Sequence, residues 1–411
     1  MSALPLSDVR VLDLTRLLPG GFCSLLLADL GAEVLKVEDT GMGDYIRWAP
    51  PYYGSDEQQA LGTRSSLYLS LNRGKRSVRL DLKNEAGKEA LLRLVADYDV
   101  VLDGFRPGVL DKLGVGYERL REANPGIVYC AITGYGQDGP YAQRAGHDMN
   151  YLGLVGLLGL TGAKDGPPVQ SAGQIADLGG GGLMAAFGVM AALHERRRSG
   201  EGQMVDISMA DGALSWLAMV AGRYFCDEEV PRRGEQQLAG GLICYLPYEA
   251  SDGWVSCGAL EPKFWAAFCN GVDRPDLIEK QFEAPGSDAW QEVAAVFRSR
   301  SRDEWLAFND EHDCCIEPVL DLDEALDSEL VRAREMVVEL EQPQLGTVRL
   351  LGNPVKLSRT PADTGRPAPA FGEHTDEVLR EAGYSEEEIA AMVESGAAAG
   401  PSATAQGEFR A

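Results

Sequence analysis

Apolar residues in the first half of the chain fall into short runs, separated by stretches in which they recur at helical spacing. Residues 9–14 form a run of strand length. Pro19-Gly20-Gly21 turns the chain, 22–30 carries helical spacing, and 32–38 reads as a second strand. That order predicts a parallel strand-helix-strand unit. Further strands are expected at 67–71, 100–103, 127–133 and 203–207, and helices at 85–97, 109–113, 149–160, 182–198 and 209–221. Such alternation is the mark of an α/β fold, in which ligands sit beyond the carboxyl ends of the strands.

The pattern changes near residue 228. Residues 228–237 are charged and read as a linker, and 243–249 and 254–259 alternate like a hairpin around Ser251-Asp252-Gly253. Helices at 262–269, 290–297 and 302–309 complete a smaller α+β domain, and 347–351 returns to strand. The expected organisation is a large Rossmann-like α/β domain built from both chain ends, 1–228 and 333–411, with a small domain at 229–332. Ser385-Glu386-Glu387-Glu388 is a capping box for a helix ending near 394. Residues 395–411 carry too little apolar bulk to pack and read as a disordered tail. The polar stretch 41–66 reads as one long loop, a length that is often functional.

Composition narrows the partners. A net charge of −25 argues against nucleic acid or an anionic membrane as partner. The longest nearly uncharged apolar run, 149–163, is short for a bilayer span, and no basic, apolar leader is expected at the start. The eight cysteines include no C-x-x-C pair, so free thiols in a cytoplasmic setting are expected, with no metal. A small anionic ligand stays open, because Arg73, Lys75, Arg76 and Arg79 cluster in an otherwise acidic chain. Two readings stand for that cluster: a solvated strand edge, or a phosphate clamp suited to the guanidinium fork. A dinucleotide site is rejected, since the first turn lacks G-x-G-x-x-G and Pro19 stiffens it.

There are four histidines, and His147 is the one delivered by a polar, Gly-rich loop to the start of a helix, in Gly146-His147-Asp148-Met149-Asn150-Tyr151. Asp177 stands likewise before Leu178-Gly179-Gly180-Gly181-Gly182 and a helical run. One imidazole and one carboxyl at two helix entrances suggest a proton-handling pair facing one ligand. Each has a plainer reading. Asp177 and Asp148 both fit ordinary helix caps, His147 fits a loop histidine, and Glu261 before Pro262 fits a helix start.

Those segments, with Ala176-Asp177-Leu178-Gly179-Gly180-Gly181, Gly258-Ala259-Leu260-Glu261-Pro262 and Gly372-Glu373-His374-Thr375, resemble the α-methylacyl-CoA racemases of the family III (CaiB/BaiF-type) CoA-transferase superfamily. The resemblance runs from Leu6 to about Glu394. It implies an isomerase of lipid metabolism acting on an acyl-CoA thioester, with His147 and Asp177 on opposite faces of the α-carbon and Glu261 holding the imidazole. It implies coenzyme A phosphate contacts at Arg73, Lys75, Arg76 and Arg106, with Asn150 and Tyr151 bordering the thioester. No cofactor beyond the CoA moiety is expected, and the implied assembly is an interlocked homodimer. The competing activity is CoA transfer between carboxylic acids through an anhydride on Asp177, which has no need of His147. A non-catalytic acyl-CoA binder would keep the arginines alone.

Overall fold

Successive residues of a strand face opposite sides of its sheet, and here both sides are apolar. Val11, Val34, Val100 and Val128 lie in one core, Leu12, Leu35, Val101 and Tyr129 in another. Strands of this kind need cover on both faces, which a parallel sheet with helical crossovers supplies. The computed structural model describes residues 3–55 and 61–402. In it β1 (Arg10–Asp13), β2 (Glu33–Glu38), β3 (Arg76–Leu80), β4 (Val100–Asp103), β5 (Val128–Thr133) and β6 (Met204–Ser208) run parallel in the order β3-β2-β1-β4-β5-β6. Helix Glu85–Val95 covers one face through Ala90, Leu91 and Leu94. Helices Leu17–Asp29 and Met184–Ser199 cover the other through Leu27, Ala185 and Val189. The strand order reverses at β1, between β2 and β4, so a crevice opens over the carboxyl ends of these strands.

The chain divides into two units. One comprises Met1–Leu154, Gly173–Ser215 and Leu330–Ala411, the other Val155–Ala172 and Trp216–Glu329. The second holds β7 (Tyr245–Ala250), β8 (Gly253–Gly258) and β9 (Ile316–Pro318), all antiparallel, over a core that includes Trp265, Phe268, Phe297 and Trp305. Back in the first unit, β10 (Val337–Gln342) and β11 (Gly346–Leu351) form a hairpin. The division expected at 229 and 332 therefore misses 155–172 and 216–228, which composition does not mark off.

Four local expectations change. Residues 67–71 belong to a helix, Ser66–Asn72: Ser65 accepts the Tyr68 amide proton, the Asn72 side chain donates to the Tyr68 carbonyl, and Tyr68, Leu69 and Leu71 are buried. A five-residue apolar run does not by itself separate helix from strand. The helix expected over 149–160 breaks at Gly156, which has a φ of 86°. The one expected over 209–221 breaks between Met209–Ser215 and Ala218–Asp227. The tail is ordered as far as it is described: β12 (Ala398–Ala399) pairs antiparallel with β3, and Ala397 and Ala398 are buried. Residues 403–411, and 56–60 of the long loop, lie outside the described residues.

A buried ionic network lies under the crevice. Lys75 meets Asp13 at 3.3 Å, Lys36 meets Asp44 at 2.9 Å, and Arg47 grips Glu38 with Nε at 2.8 Å and Nη2 at 2.6 Å. Burial alone would raise the Asp13 carboxyl, but Lys36 and Lys75 outweigh it and hold it at about 2. For Glu38 burial is likewise overcome, chiefly by Arg47, and the carboxyl sits at about 2. Unfolded carboxylates titrate near ~4, so between there and about 2 the unfolded chain binds more protons. This contribution to stability is therefore complete above pH ~4 and is lost as pH falls through about 2. Denaturant midpoints measured across that range are expected to fall steeply, and Glu38→Gln to flatten the fall. An acid limb unchanged in that variant would contradict the assignment.

Candidate active site

β5 ends at Thr133, and a loop carries the chain from Gly134 to His147. Two glycines in this loop leave room for Tyr151, since a Cβ on Gly134 or on Gly146 would lie 2.6 Å from its ring. The Tyr151 hydroxyl donates to the Gly146 carbonyl at 2.6 Å, and its ring packs edge-on against Tyr135. His147 starts helix Asp148–Leu154, and its carbonyl accepts the Asn150 and Tyr151 amide protons. The Asn150 side chain reaches back and accepts the His147 amide proton at 3.0 Å. That reciprocal pairing fixes the His147 backbone and leaves its imidazole exposed.

Asp148 points inward, 2% exposed. Its Oδ1 accepts the amide protons of Ala176 at 2.6 Å and Asp177 at 3.1 Å. It thus caps the start of a wide helical turn, Ile175–Leu183, rather than its own helix, and ties Asp177 to the neighbour of His147. Wide turns of this kind are frequent at functional sites. Three of the four glycines of the turn, Gly180, Gly181 and Gly182, answer a packing demand. A Cβ on Gly180 would lie 2.8 Å from the Met209 carbonyl oxygen, one on Gly182 2.6 Å from the Pro19 carbonyl oxygen, and one on Gly212 2.2 Å from the Gly180 carbonyl oxygen. The turn runs on into Met184–Ser199. That makes 25 continuous residues, long and apolar enough to cross a membrane, but Ala185, Val189 and Ala192 pack on the sheet.

The Asp177 carboxyl is half-buried, and burial, with the Asp148 charge, raises it to about 6, against an opposing pull from His147. His147 and Asp177 are thus brought into electrostatic reach of one another. Arg106 is close enough to act on Tyr151, which is itself within reach of the Asp177 charge.

The other expected site residues fare differently. Arg73 is buried, with Nε and Nη2 forked onto Asp29 at 2.9 and 2.7 Å and Nη1 on the Leu351 carbonyl. Lys75 is buried among Asp13, Ser24 and Asn72. Arg76 answers Glu33, Glu377 and Glu381 at the opposite end of β3 from the crevice. The phosphate-clamp reading of these three is therefore corrected: their donors are taken by protein carboxylates and carbonyls. The edge reading is corrected as well, because β3 lies between β2 and β12. Arg106 is exposed and, among the described residues, makes no ion pair with a carboxylate. Asn150 and Tyr151 hold the His147 loop. Glu261, in the second unit, starts helix Pro262–Gly271 through its backbone alone, and its exposed carboxylate caps nothing. Of the other histidines, His194 is exposed, His312 packs on Phe308, and His374 accepts the Ser77 amide proton.

Sequence reading placed ligands beyond the strand ends but did not single out the residues that line the crevice there. A cavity of about 620 Å³ lies over the strand ends, lined by 38–43 and 80–83 from the ends of neighbouring strands and by Val109, Lys112 and Leu113. Arg16, Lys83 and Lys112 line it, and Phe105 adds an aromatic wall. Only their place after strand ends could have singled them out.

Comparison with known proteins fits this arrangement. The family model described as "CoA-transferase family III" matches residues 6–375. An α-methylacyl-CoA racemase of Mus musculus is 38% identical over 93% of this chain and 95% of its own. A succinyl-CoA:mesaconate CoA-transferase of Haloarcula marismortui is 37% identical over 92% of this chain and 96% of its own. A crystal structure of a CaiB/BaiF family protein from Brucella suis superimposes with a TM-score of 0.80 at 30% identity, covering 93% of this chain and all of that one.

Proposed function

The chain belongs to CoA-transferase family III, and from that premise we propose that it is a racemase inverting the α-carbon of 2-methyl-branched acyl-CoA thioesters. The observation that carries this is a carboxyl at Asp177 poised at about 6 beside an exposed imidazole. A group that must both take and give a proton works best when its affinity lies near the working pH. One of the pair removes the α-proton, and the C–H electron pair passes into the thioester carbonyl as an enolate. The other delivers a proton to the opposite face, and the roles exchange in the reverse direction. The crevice takes the nucleotide end of CoA, with Arg16, Lys83 and Lys112 as its cations and Arg106 as a further contact.

Incubation of a 2-methylacyl-CoA in deuterated water tests the reading. Deuterium entering the α-carbon, with loss of configuration, supports it, and an unlabelled α-carbon removes it. The second reading is CoA transfer through an acyl-Asp177 anhydride, favoured by the similarity to the mesaconate enzyme. A nucleophilic carboxylate gains nothing from being half-protonated near neutrality, and this route gives His147 no task. Hydroxylamine trapping of an Asp177 acyl group would establish it.

A pH prediction follows from the same group. Exchange in the direction that uses Asp177 as base is expected to rise with pH through about 6. Asp148→Asn keeps the acceptor for the Ala176 and Asp177 amides but removes a like charge, so the limb is expected to move to lower pH. A limb that stays in place would detach it from this pair.

A homodimer is part of the proposal. Leu183, Phe187 and Met190 stand exposed at spacings of four and three along one helical face. A solution mass of twice 44.3 kDa is expected, with Phe187→Glu shifting the protein toward monomer. A single-chain mass for the unaltered protein would remove this part.

A further inference from the structure

We propose that residues 396–402 form a strap that positions the walls of the crevice, and that Arg79 is the positioning residue through which it acts. The inference rests on the assignment of the crevice to CoA. The cavity is lined by 38–43, by 80–83 and, from helix Val109–Leu113, by Val109, Lys112 and Leu113, and the strap reaches the first two segments. At 80–83 it adds β12 to β3, pairing Ala398 with Leu80 and Ala399 with Arg79, and the Asp81 amide donates to the Ala397 carbonyl at 2.9 Å. Leu80 and Asp81 line the cavity.

The 38–43 segment is reached through one buried guanidinium. Arg79, 2% exposed, donates from Nη1 to the Gly400 carbonyl at 2.8 Å and from Nη2 to the carbonyl of Thr40, a lining residue of that segment. Its guanidinium carbon lies 4.0 Å from the centre of the Phe371 ring, whose residue accepts the Ser402 amide proton. Gly372 makes room for this. Its φ is +74°, and a Cβ there would lie 2.5 Å from Arg79 Cδ and 3.0 Å from the Gly400 carbonyl oxygen. The planar fork thus joins strap and wall with fixed geometry, and withdrawing the strap leaves a buried donor without its acceptor. The rest of that segment is held locally, by Asp39 accepting the Gly41 and Gly43 amide protons and pairing with Arg16.

His147 and Asp177 make no contact with the strap, so its loss is expected to weaken binding and spare the chemical step. The test uses the full chain, Arg79→Met, Arg79→Lys, a chain ending at Gly396, and the double variant of Arg79→Met with that shortened chain. CoA binding is followed by calorimetry, exchange kinetics give KM and kcat separately, and thermal melting confirms folding. Arg79→Met and the shortened chain are each expected to weaken CoA binding and raise KM roughly tenfold, with kcat within about twofold. The double variant is expected to be no worse than the worse single, because both cut one link. Arg79→Lys, which keeps the charge but cannot span two carbonyls, is expected to lose binding as well, and it stands in should the other variants fail to fold. Unchanged CoA binding in the folded variants, or losses that multiply in the double variant, would overturn the strap while leaving the CoA assignment intact. Failure of the unaltered chain to bind CoA would remove that assignment and the strap together.

Discussion

Asparagine at position 177 is expected to lower α-proton exchange roughly a thousandfold while leaving the protein folded. The side chain keeps its size and loses its ability to take or give a proton at neutral pH. Its carboxyl caps no helix, and the backbone of the turn is held instead by Asp148. Thermal stability should therefore stay close to that of the unaltered chain, and binding of a thioester should persist. The measurement is deuterium entry at the α-carbon, with KM and kcat separated. Asp177→Asn disables both proposed routes, so the companion variant His147→Gln distinguishes them. Under proton transfer it abolishes racemisation. Under anhydride chemistry it leaves CoA transfer intact. An Asp177→Asn protein that still exchanges its substrate's α-proton at the full rate would dismiss the carboxyl from the reaction.

Alanine at position 73 is expected to cost about 3–5 kcal/mol of stability. The Asp29 carboxylate would remain buried, stripped of the fork that holds both of its oxygens, with the Asn353 side chain still donating to it at 3.1 Å. The Leu351 carbonyl would lose its donor as well. Chemical denaturation gives the readout directly. A phosphate clamp would behave in the opposite way, with stability unaffected and KM for the thioester raised. Arg73→Ala with an unchanged denaturation midpoint would therefore restore the clamp. The double variant Asp29→Leu, Arg73→Met should recover much of the loss, because no bare charge stays inside.

Five of the six parallel strands could be read from the sequence because each is a short run rich in apolar residues, too brief for a helix; β3, Arg76–Leu80, was not among them. The hairpin at Ser251-Asp252-Gly253 and the capping box at Ser385 were equally plain, since turn and cap chemistry is local. Three things were not legible. The run at 67–71 is too short for its period to separate helix from strand. The basic residues at 73–76 show their charge in the sequence, but Asp29, Asp13 and Glu381 come from distant positions. Likewise, the glycines at 179–182 read as the approach to a helix, whereas contacts of Gly180, Gly181 and Gly182 with Pro19, Met209 and Gly212 make them part of the helix itself. Within the site, the segment holding His147 and Asp177 stood out, but nothing local revealed that Asp148 faces away from its own helix toward the other.

The span between Arg79 and Gly400, 321 residues apart, also governs how the protein is made. As the ribosome works from the amino terminus, β3 emerges long before the residues that flank it on its outer side, Ala398 and Ala399. Until then an open row of backbone donors and acceptors waits on the nascent sheet, able to pair with another chain. Trp216–Glu329, with its own aromatic core, leaves the ribosome while that row is still bare. Chaperone demand during synthesis should accordingly ease only once Ala398 and Ala399 are free to pair with β3.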